Sequence, residues 1–382
     1  MKICILELMP FPQTIGGGTT HIVNLGKALV NLGNEVHIIS SRAEKGKENQ
    51  NARKFPKGLY IHQIGMIHKK FEGSGKFYYL YRIFFELAFL FGAWKKIKEI
   101  KPDVIDTQAP ITTSLPASLS GVPFVMTCHG IHSYGFGKFY KMKGKKLVGG
   151  LGNKIYYTMA KFNSKRARKI ISQGDETVDF YVKLAGDKKK KVIIPNLVDT
   201  EFWEFSNDKD NKRIATAARF SKQKALDKLV TAMKSLSDYE LHLIGGGDME
   251  EVIKKIAGKN VKLFGFQPPE FCKKEYKKAR FTVLPSEFEG LPYSILESMS
   301  SGVIPIVTKV GDLRSLIVDG KNGFFLKDNN PKTIIETIKK ASKANLKKIG
   351  IEARKTVVNG WGLDKVGRIF LNIYKQALEE KG

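Results

Sequence analysis

Residues 281–308 read FTVLPSEFEGLPYSILESMSSGVIPIVT. An apolar run, an acidic loop, a helical pattern, a small-residue turn at Gly302 and a second apolar run follow in order. That is a strand–helix–strand unit, and continuous apolar strands of this kind belong to a parallel sheet covered on both faces. Pro292 suits the first turn of a helix, because the N–H it lacks has no partner there. The helix is expected over PYSILESMSS and ends at Gly302. Glu289 falls on the loop before it, and Glu297 lies about one and a half turns inside. The N–H groups of Tyr293 and Ser294 open the first turn and favour a phosphate. Two carboxylates bordering such an anion site can accept hydrogen bonds from the paired hydroxyls of a ribose and a sugar.

The same rhythm extends in both directions. KICILEL, EVHIIS, DVIDTQA, PFVMTCH, KIISQG and KVIIPN precede residue 198, and RIATAAR, ELHLIGG, VKLFGF, FTVLPS and VIPIVT follow it. A chain of 382 residues is too long for one ordinary core, so two doubly wound α/β domains are expected. They should join near 197–212, where SNDKDNK (206–212) has the polar composition of a boundary. The N-terminal MKICILELMPFPQ reads as a first strand and not as a secretory signal. Cys4, Cys128 and Cys272 form no CxxC, which argues against a disulfide framework or a zinc site and suits a reducing cytosol.

Charge is the unusual feature. The net value is +28, no acidic residue occurs from Thr107 to Gly174, and 138–169 holds eleven Lys/Arg. These cations interleave with Phe139, Tyr140, Leu147, Val148, Ile155, Tyr156, Tyr157 and Phe162. Such a field attracts nucleic acid, an anionic membrane or a phosphorylated substrate. A lysine-rich bias of the proteome would also account for the total. No RNP, KH, zinc-finger or helix-turn-helix signature appears, so nucleic acid is not expected as a partner. The apolar stretch 77–94, FYYLYRIFFELAFLFGAW, carries Arg82 and Glu86, which a spanning helix tolerates poorly near its middle. It reads as a helix that is largely buried or lies at an interface.

Two further elements point to phosphate. Gly16, Gly17 and Gly18 precede a helix starting near Thr19, which lets backbone N–H groups approach an anion. The spacing is not GxGxxG. In RIATAARFSKQKALDKLVTAM, Arg219 and Lys224 follow the strand, at the edge where α/β ligands bind. Arg presents a fork to phosphate oxygens and Lys a point charge. A second glycine junction, Gly245–Gly247, follows LHLI. The D-x-D at Asp208-Lys209-Asp210 sits in the polar stretch and reads as solvated surface, so no metal site is expected.

In combination these segments resemble the retaining GT-B glycosyltransferases of the GT4 class (glycosyl transferases group 1). EGLPYSILE is similar to the family's E-x7-E motif. GGGTTHIVNLGKALVNLGNEVHII resembles its opening glycine loop, VPFVMTCHG a mid-domain strand ending in His129, RFSKQKALDKLVTA its Arg-x4-Lys element, and GWGLDKVGRIFLNIYKQAL its closing helix. The resemblance implies two Rossmann-like domains facing across a cleft, with the C-terminal helix crossing back to the first. Residues 1–198, completed by 362–382, would bind the acceptor, and 199–361 the nucleotide-sugar donor. It also implies roles. Glu289 would contact the donor sugar and His129 would sit beside its anomeric carbon, the two catalytic positions. Glu297 would hold the ribose. Arg219 and Lys224 would neutralise the diphosphate, Gly17 and Gly18 would complete the phosphate pocket, and Gly290, Leu291, Tyr293 and Ser294 would line the donor site. The nucleotide-diphosphate sugar is a substrate, so no cofactor is implied. The acceptor would be a lipid-linked or other glycan. The cysteines suit the cytoplasm, and the basic segment with its interleaved aromatics suits a peripheral place at the inner face of the cell membrane.

The chain departs from the family pattern in three places. Val310-Gly311-Asp312-Leu313-Arg314-Ser315 stands where Gly-Gly-x-x-Glu is usual, and Ala225 follows Lys224 where Gly is common. Two alternatives share the donor chemistry: a GT-B nucleotide-sugar epimerase, and a sugar-nucleotide-binding protein without turnover.

Overall fold

The computed structural model describes residues 1–13, 16–44, 55–67, 76–130 and 146–380; for 76–80, 82 and 146–153 only the backbone is described. Two compact units divide the chain, one of residues 1–195 and 366–382, the other of 196–365.

Unit 1 holds a seven-stranded sheet: β1 (Lys2–Leu6), β2 (Glu35–Arg42), β3 (Leu59–Ile67), β4 (Val104–Thr107), β5 (Phe124–Thr127), β6 (Lys169–Ser172) and β7 (Lys191–Ile193). The order is β3-β2-β1-β4-β5-β6-β7, and every pairing is parallel. Central β1 explains the pattern. Ile3 pairs with Val36 on one side and Val104 on the other, and Ile3 to Leu6 are all fully buried. The helices are α1 (Gly17–Asn31), α2 (Lys76–Ile100), α3 (Ser114–Ser120), α4 (Lys146–Arg166) and α5 (Asp175–Ala185).

Unit 2 repeats the plan with β8 (Asp210–Ala217), β9 (Glu240–Ile244), β10 (Val261–Leu263), β11 (Ala279–Leu284), β12 (Ile304–Thr308) and β13 (Phe324–Leu326), ordered β10-β9-β8-β11-β12-β13 and all parallel. Its helices are α6 (Leu226–Met233), α7 (Glu250–Ile256), α8 (Pro269–Lys278), α9 (Tyr293–Ser300), α10 (Leu313–Leu316), α11 (Pro331–Ser342) and α12 (Leu346–Trp361). The last helix, α13 (Leu363–Glu379), starts in unit 2 and runs into unit 1. There Val366, Phe370, Tyr374 and Ala377 are buried at helical spacing. Both sheets are doubly wound, which puts ligand-facing loops at their carboxyl edges.

Three readings need correction. The stretch 206–212 is not the junction: it lies inside unit 2, and β8 already begins at Asp210. Nor is all of its D-x-D solvated. Asp208 and Asp210 are exposed, but Lys209 turns inward to donate from Nζ to the carbonyls of Tyr276 and Ser301, 2.5 and 2.8 Å away. Burial there lowers its pKa to about 7. Pro292 is not the first helical residue but the extended cap before it, so α9 begins one residue later, at Tyr293. The 77–94 stretch, read as a helix largely buried or at an interface, lies within the 25-residue α2, which has one face of each kind. Phe85, Phe89, Ala93, Ile97 and Ile100 of α2 are buried, while Ile83, Phe84, Leu87, Phe91 and Trp94 are exposed. Among the described residues no helix is long and apolar enough to cross a membrane.

Candidate active site

The loop between β11 and α9 carries the densest chemistry, and its neighbours hold it from all sides. Glu287 N–H donates to the carbonyl of Gln223 at 2.9 Å, and Gln223 Nε2 donates to the Phe288 carbonyl at 2.6 Å. Thr308 at the end of β12 donates to the Ser286 carbonyl at 2.5 Å, and Asn196 Nδ2 to the Leu291 carbonyl at 2.8 Å. Gly311, at φ +49°, lets the loop after β12 lie against this backbone, since a Cβ there would meet the Glu289 carbonyl oxygen at 1.9 Å. So this loop is tied to its neighbours through its backbone.

Within it, Glu289 is only 5% exposed. Lys224 Nζ donates to both its oxygens, at 2.5 and 2.7 Å, and Ser286 Oγ donates to Oε1 at 2.5 Å. The sequence reading gave Lys224 to a phosphate and Glu289 to a sugar. The fold joins them in one ion pair. Arg219 is different: its side chain is 70% exposed, with Asp248 at 3.8 Å. It stands at the end of β8 beside the glycine loop after β9, where Phe220 N–H donates to the Gly246 carbonyl at 2.9 Å. Gly247, at φ +153°, permits that approach, because a Cβ would meet the Phe220 carbonyl oxygen at 2.5 Å.

Helix α9 begins directly after this loop, so Gly290, Leu291, Tyr293 and Ser294 surround its amino end. Gly290 is exposed and Leu291 buried. Glu297 is half-buried one turn in, and its charge raises the pKa values of Cys272, Tyr276 and Tyr293, burial being the larger cause for each. Thus unit 2 brings Arg219, Lys224, Glu289, Glu297 and the start of α9 to the carboxyl edge of one sheet.

The family departures have local explanations. Gly311 takes the positive φ, whereas Asp312 has an ordinary helical φ of −76° and caps α10, so an Asp there brings no backbone strain. Ser315 closes that turn by donating to the Asp312 carbonyl at 2.9 Å. Ala225 does carry strain. Its φ of +48° lies in the left-handed region, which glycine would occupy freely.

In unit 1, Gly17 and Gly18 form the first turn of α1, and a Cβ at Gly18 would meet nothing within 4 Å. Packing within the protein therefore does not demand glycine there. His129 stands exposed after β5, with Nε2 2.8 Å from Gln108 Oε1. His21 of α1 meets it edge-on, with ring centroids 4.9 Å apart. Burial, and second the charge of His129, hold His21 well below the usual histidine pKa. Behind them Asp106 of β4 is fully buried. It accepts from Thr127 Oγ1 at 2.7 Å and from the Tyr374 hydroxyl of α13 at 2.6 Å. Burial pushes its carboxyl up to about 7 despite those two donors. At the end of β1, burial likewise pushes Glu7 up to about 7.

Sequence reasoning gave no role to Glu7, His21, Asp106, Gln108 or Tyr374. The usable signal was position, since Glu7 and Gln108 each lie one residue past a strand, at the ligand-facing edge. Among the described residues no group of three or more His, Cys, Asp and Glu is placed to hold a metal ion.

Comparison with known proteins follows the two units. The model for Glycosyl transferases group 1 matches residues 198–356, and that for Glycosyltransferase Family 4 matches 15–202. An uncharacterized glycosyltransferase of Methanocaldococcus jannaschii is 26% identical over 88% of each chain. The UDP-Gal:alpha-D-GlcNAc-diphosphoundecaprenol alpha-1,3-galactosyltransferase of Escherichia coli is 25% identical over 75% of this chain and 80% of its own. HepE of Anabaena, solved in complex with UDP and glucose, matches at a TM-score of 0.73 and 15% identity, over 98% of this chain and 99% of its own. The chain is a glycosyltransferase built on the GT-B fold.

Proposed function

We propose that this glycosyltransferase moves a sugar from a nucleotide-diphosphate sugar to a lipid-linked or other glycan acceptor, with retention at the anomeric carbon and without a metal ion. The observation that carries this reading is the Lys224–Glu289 pair beside the first turn of α9. It combines a cation, a helix amino end and a carboxylate at one sheet edge, which fits a diphosphate joined to a polyhydroxylic sugar. In this reading unit 2 is the donor domain. Lys224, Arg219 and α9 stabilise the charge that grows on the departing diphosphate. Glu289 accepts from a sugar hydroxyl and Glu297 from the ribose. The anomeric C–O bond to phosphate breaks as the acceptor oxygen bonds on the same face, and the leaving phosphate takes the acceptor proton. Pairing Lys224 with Glu289 in advance sets both side chains before the donor arrives, so little reorganisation is left for the reaction.

Unit 1 is the acceptor domain in this reading, with His129 serving the transferred sugar and Gly17 and Gly18 the phosphates. The Escherichia coli relative's name describes transfer onto a diphospholipid-borne sugar, and HepE was solved with UDP and glucose, which supports a UDP-sugar and a lipid-carried acceptor. Such an acceptor would keep the enzyme peripheral at the inner face of the membrane.

The test is incubation with UDP-, GDP- and ADP-sugars, with and without diphospholipid and glycan acceptors, reading the product linkage by NMR. Retained configuration, formed equally with EDTA, is expected. An inverted product sinks retention, and activity lost to EDTA but restored by magnesium sinks metal independence. Conversion of the donor sugar without acceptor would point to an epimerase, and binding without turnover to a sensor.

A further inference from the structure

The transfer chemistry makes no use of the outer face of α2. Its inward residues Phe85, Phe89, Ala93 and Ile97 are packed away. Ile83, Leu87, Phe91 and Trp94 recur at helical spacing on the other side with Phe84 beside them, and Phe91 is 67% and Ile83 57% exposed. This stripe is about 16 Å long at 1.5 Å per residue. It continues onto neighbouring helices. Trp94 Nε1 donates to the Leu119 carbonyl at 3.3 Å, so α3 adjoins it and adds the exposed Leu119 side chain. Ser118 of α3 donates to Asn163 of α4 at 2.8 Å, and α4 adds exposed Ile155 and Phe162, seven residues apart on one face. Exposed apolar side chains on three adjacent helices point to a binding face.

Charge selects the occupant. Helix α4 contains no acidic residue, and its Lys154, Lys161, Lys165 and Arg166 are exposed. Lys95 and Lys98 are exposed at the far end of α2. Lys98 lies 5.9 Å from the Trp94 ring centroid and Arg166 5.0 Å from that of Phe162. Of the acids on α2, Glu99 is paired with Lys96 at 2.7 Å and Glu86 is only half exposed. Aromatic and aliphatic side chains set among cations suit the boundary between headgroups and acyl chains, and an anionic leaflet attracts such lysines. A second copy of this face would bring like charges together, and protein interfaces are depleted of lysine at their centres.

We propose that the outer faces of α2, α3 and α4 form a docking surface for an anionic lipid bilayer, lying in the headgroup plane. The proposal deepens the lipid-carried-acceptor reading and rests on it for its purpose, while the surface itself is argued from the helices alone. The basic residues 138–145 from the sequence reading, with Phe139 and Tyr140, lie outside the described residues. The side chains of Leu147 and Val148 do too.

The experiment uses the full chain with phosphatidylcholine vesicles, with or without phosphatidylglycerol, at low and high salt. Co-sedimentation with the anionic vesicles at low salt is expected, weakened by salt. The double variant Phe84→Ser/Phe91→Ser should bind at least roughly tenfold more weakly, since buried apolar area sets interfacial affinity. Trp94 emission should shift to the blue and be quenched by brominated lipid, and Trp94→Phe should remove that response, because Trp203 is buried and Trp361 is half-buried in unit 2, away from these helices in the chain. Calorimetric UDP affinity should be unchanged in the variants, which shows that they fold. Three results overturn the proposal: no wild-type binding at low salt, binding indifferent to the Phe84/Phe91 change, or a vesicle-free dimer that this change dissolves. Docking without sugar transfer would leave the surface standing and remove the transfer reading; transfer without docking would do the reverse.

Discussion

The two sheets share one topology, yet their carboxyl edges are electrostatic opposites. In unit 2 the edge presents ionic groups: the Lys224–Glu289 pair, the exposed Arg219 and the start of α9. In unit 1 the corresponding edge is backed by groups held toward neutrality. Asp106 is buried under two hydroxyls with its pKa raised, and His21 is buried with its pKa lowered. The difference comes from what fills each edge. Helix α13 inserts Phe370 and Tyr374 into unit 1, where the Phe370 ring lies 5.7 Å from that of His21. In unit 2 a loop tied down through its backbone holds the Glu289 carboxylate against Lys224 as an ion pair. A doubly wound sheet thus fixes where a site can be, and the packing behind the edge decides whether it carries charge.

The largest expected effect tests the charged edge. Lys224→Ala and Glu289→Gln should each lower kcat by about 10²-fold or more, the scale of a lost charge partner in the transition state. Because the two are bonded to each other, the double variant should be little worse than either single one. Steady-state kinetics on all three, with circular dichroism to confirm folding, decides it; multiplicative losses would mean that the pair does not act as a unit.

Next comes ribose binding. Glu297→Ala should weaken donor affinity by about 1.5–3 kcal/mol, the range for a hydrogen bond to a charged group. Calorimetry with UDP and with the pyrophosphate fragment separates the roles, since only the nucleoside-bearing ligand should suffer.

A third prediction addresses the neutral edge. Burial raises the Asp106 carboxyl from its ordinary 3.8 to about 7, so over that interval the folded state binds the extra proton. Its contribution to stability is fully present below the unfolded pKa and is lost as pH rises through about 7. Glu7 acts with the same sign. His21 and Lys209, whose pKa values burial lowers, contribute with the opposite sign, so the test is a difference: between pH 5 and pH 8 the wild type should lose melting temperature relative to Asp106→Asn, read by calorimetry. An unchanged slope in the variant would show that Asp106 is ionised in the folded protein. Tyr374→Phe should destabilise unit 1 by about 1–3 kcal/mol by removing a donor to a buried carboxylate, without changing UDP affinity.

The smallest effect concerns Ala225. Replacing it with Gly relieves left-handed strain of about 1–2 kcal/mol but adds unfolded-state entropy, so a net gain of about 0.5–1 kcal/mol is expected from denaturant unfolding. A loss of stability would mean that packing of the buried methyl outweighs the strain.

Most of the fold was legible because buried parallel strands are continuous apolar runs. Eleven of the thirteen strands among the described residues correspond to segments picked out on that basis. The two that escaped are terminal in their sheets. β3 interrupts its apolar residues with Tyr60, His62 and Gln63, since an edge strand is covered less; β13 has three residues, no fewer than β7 and β10, so length does not account for its escape. For the candidate site, the sequence determined which residue types stand at strand ends and helix starts, because strand and helix periods are local. It could not determine partners. Lys224 and Glu289 are 65 residues apart, and Tyr374 and Asp106 are 268 apart. Those distances close only when the sheet aligns β8 with β11 and α13 packs on unit 1. For the same reason the sequence of α2 showed an apolar helix but not that half of it would face outward. Exposure depends on which neighbours occupy the surrounding space, and that is a property of the folded chain alone.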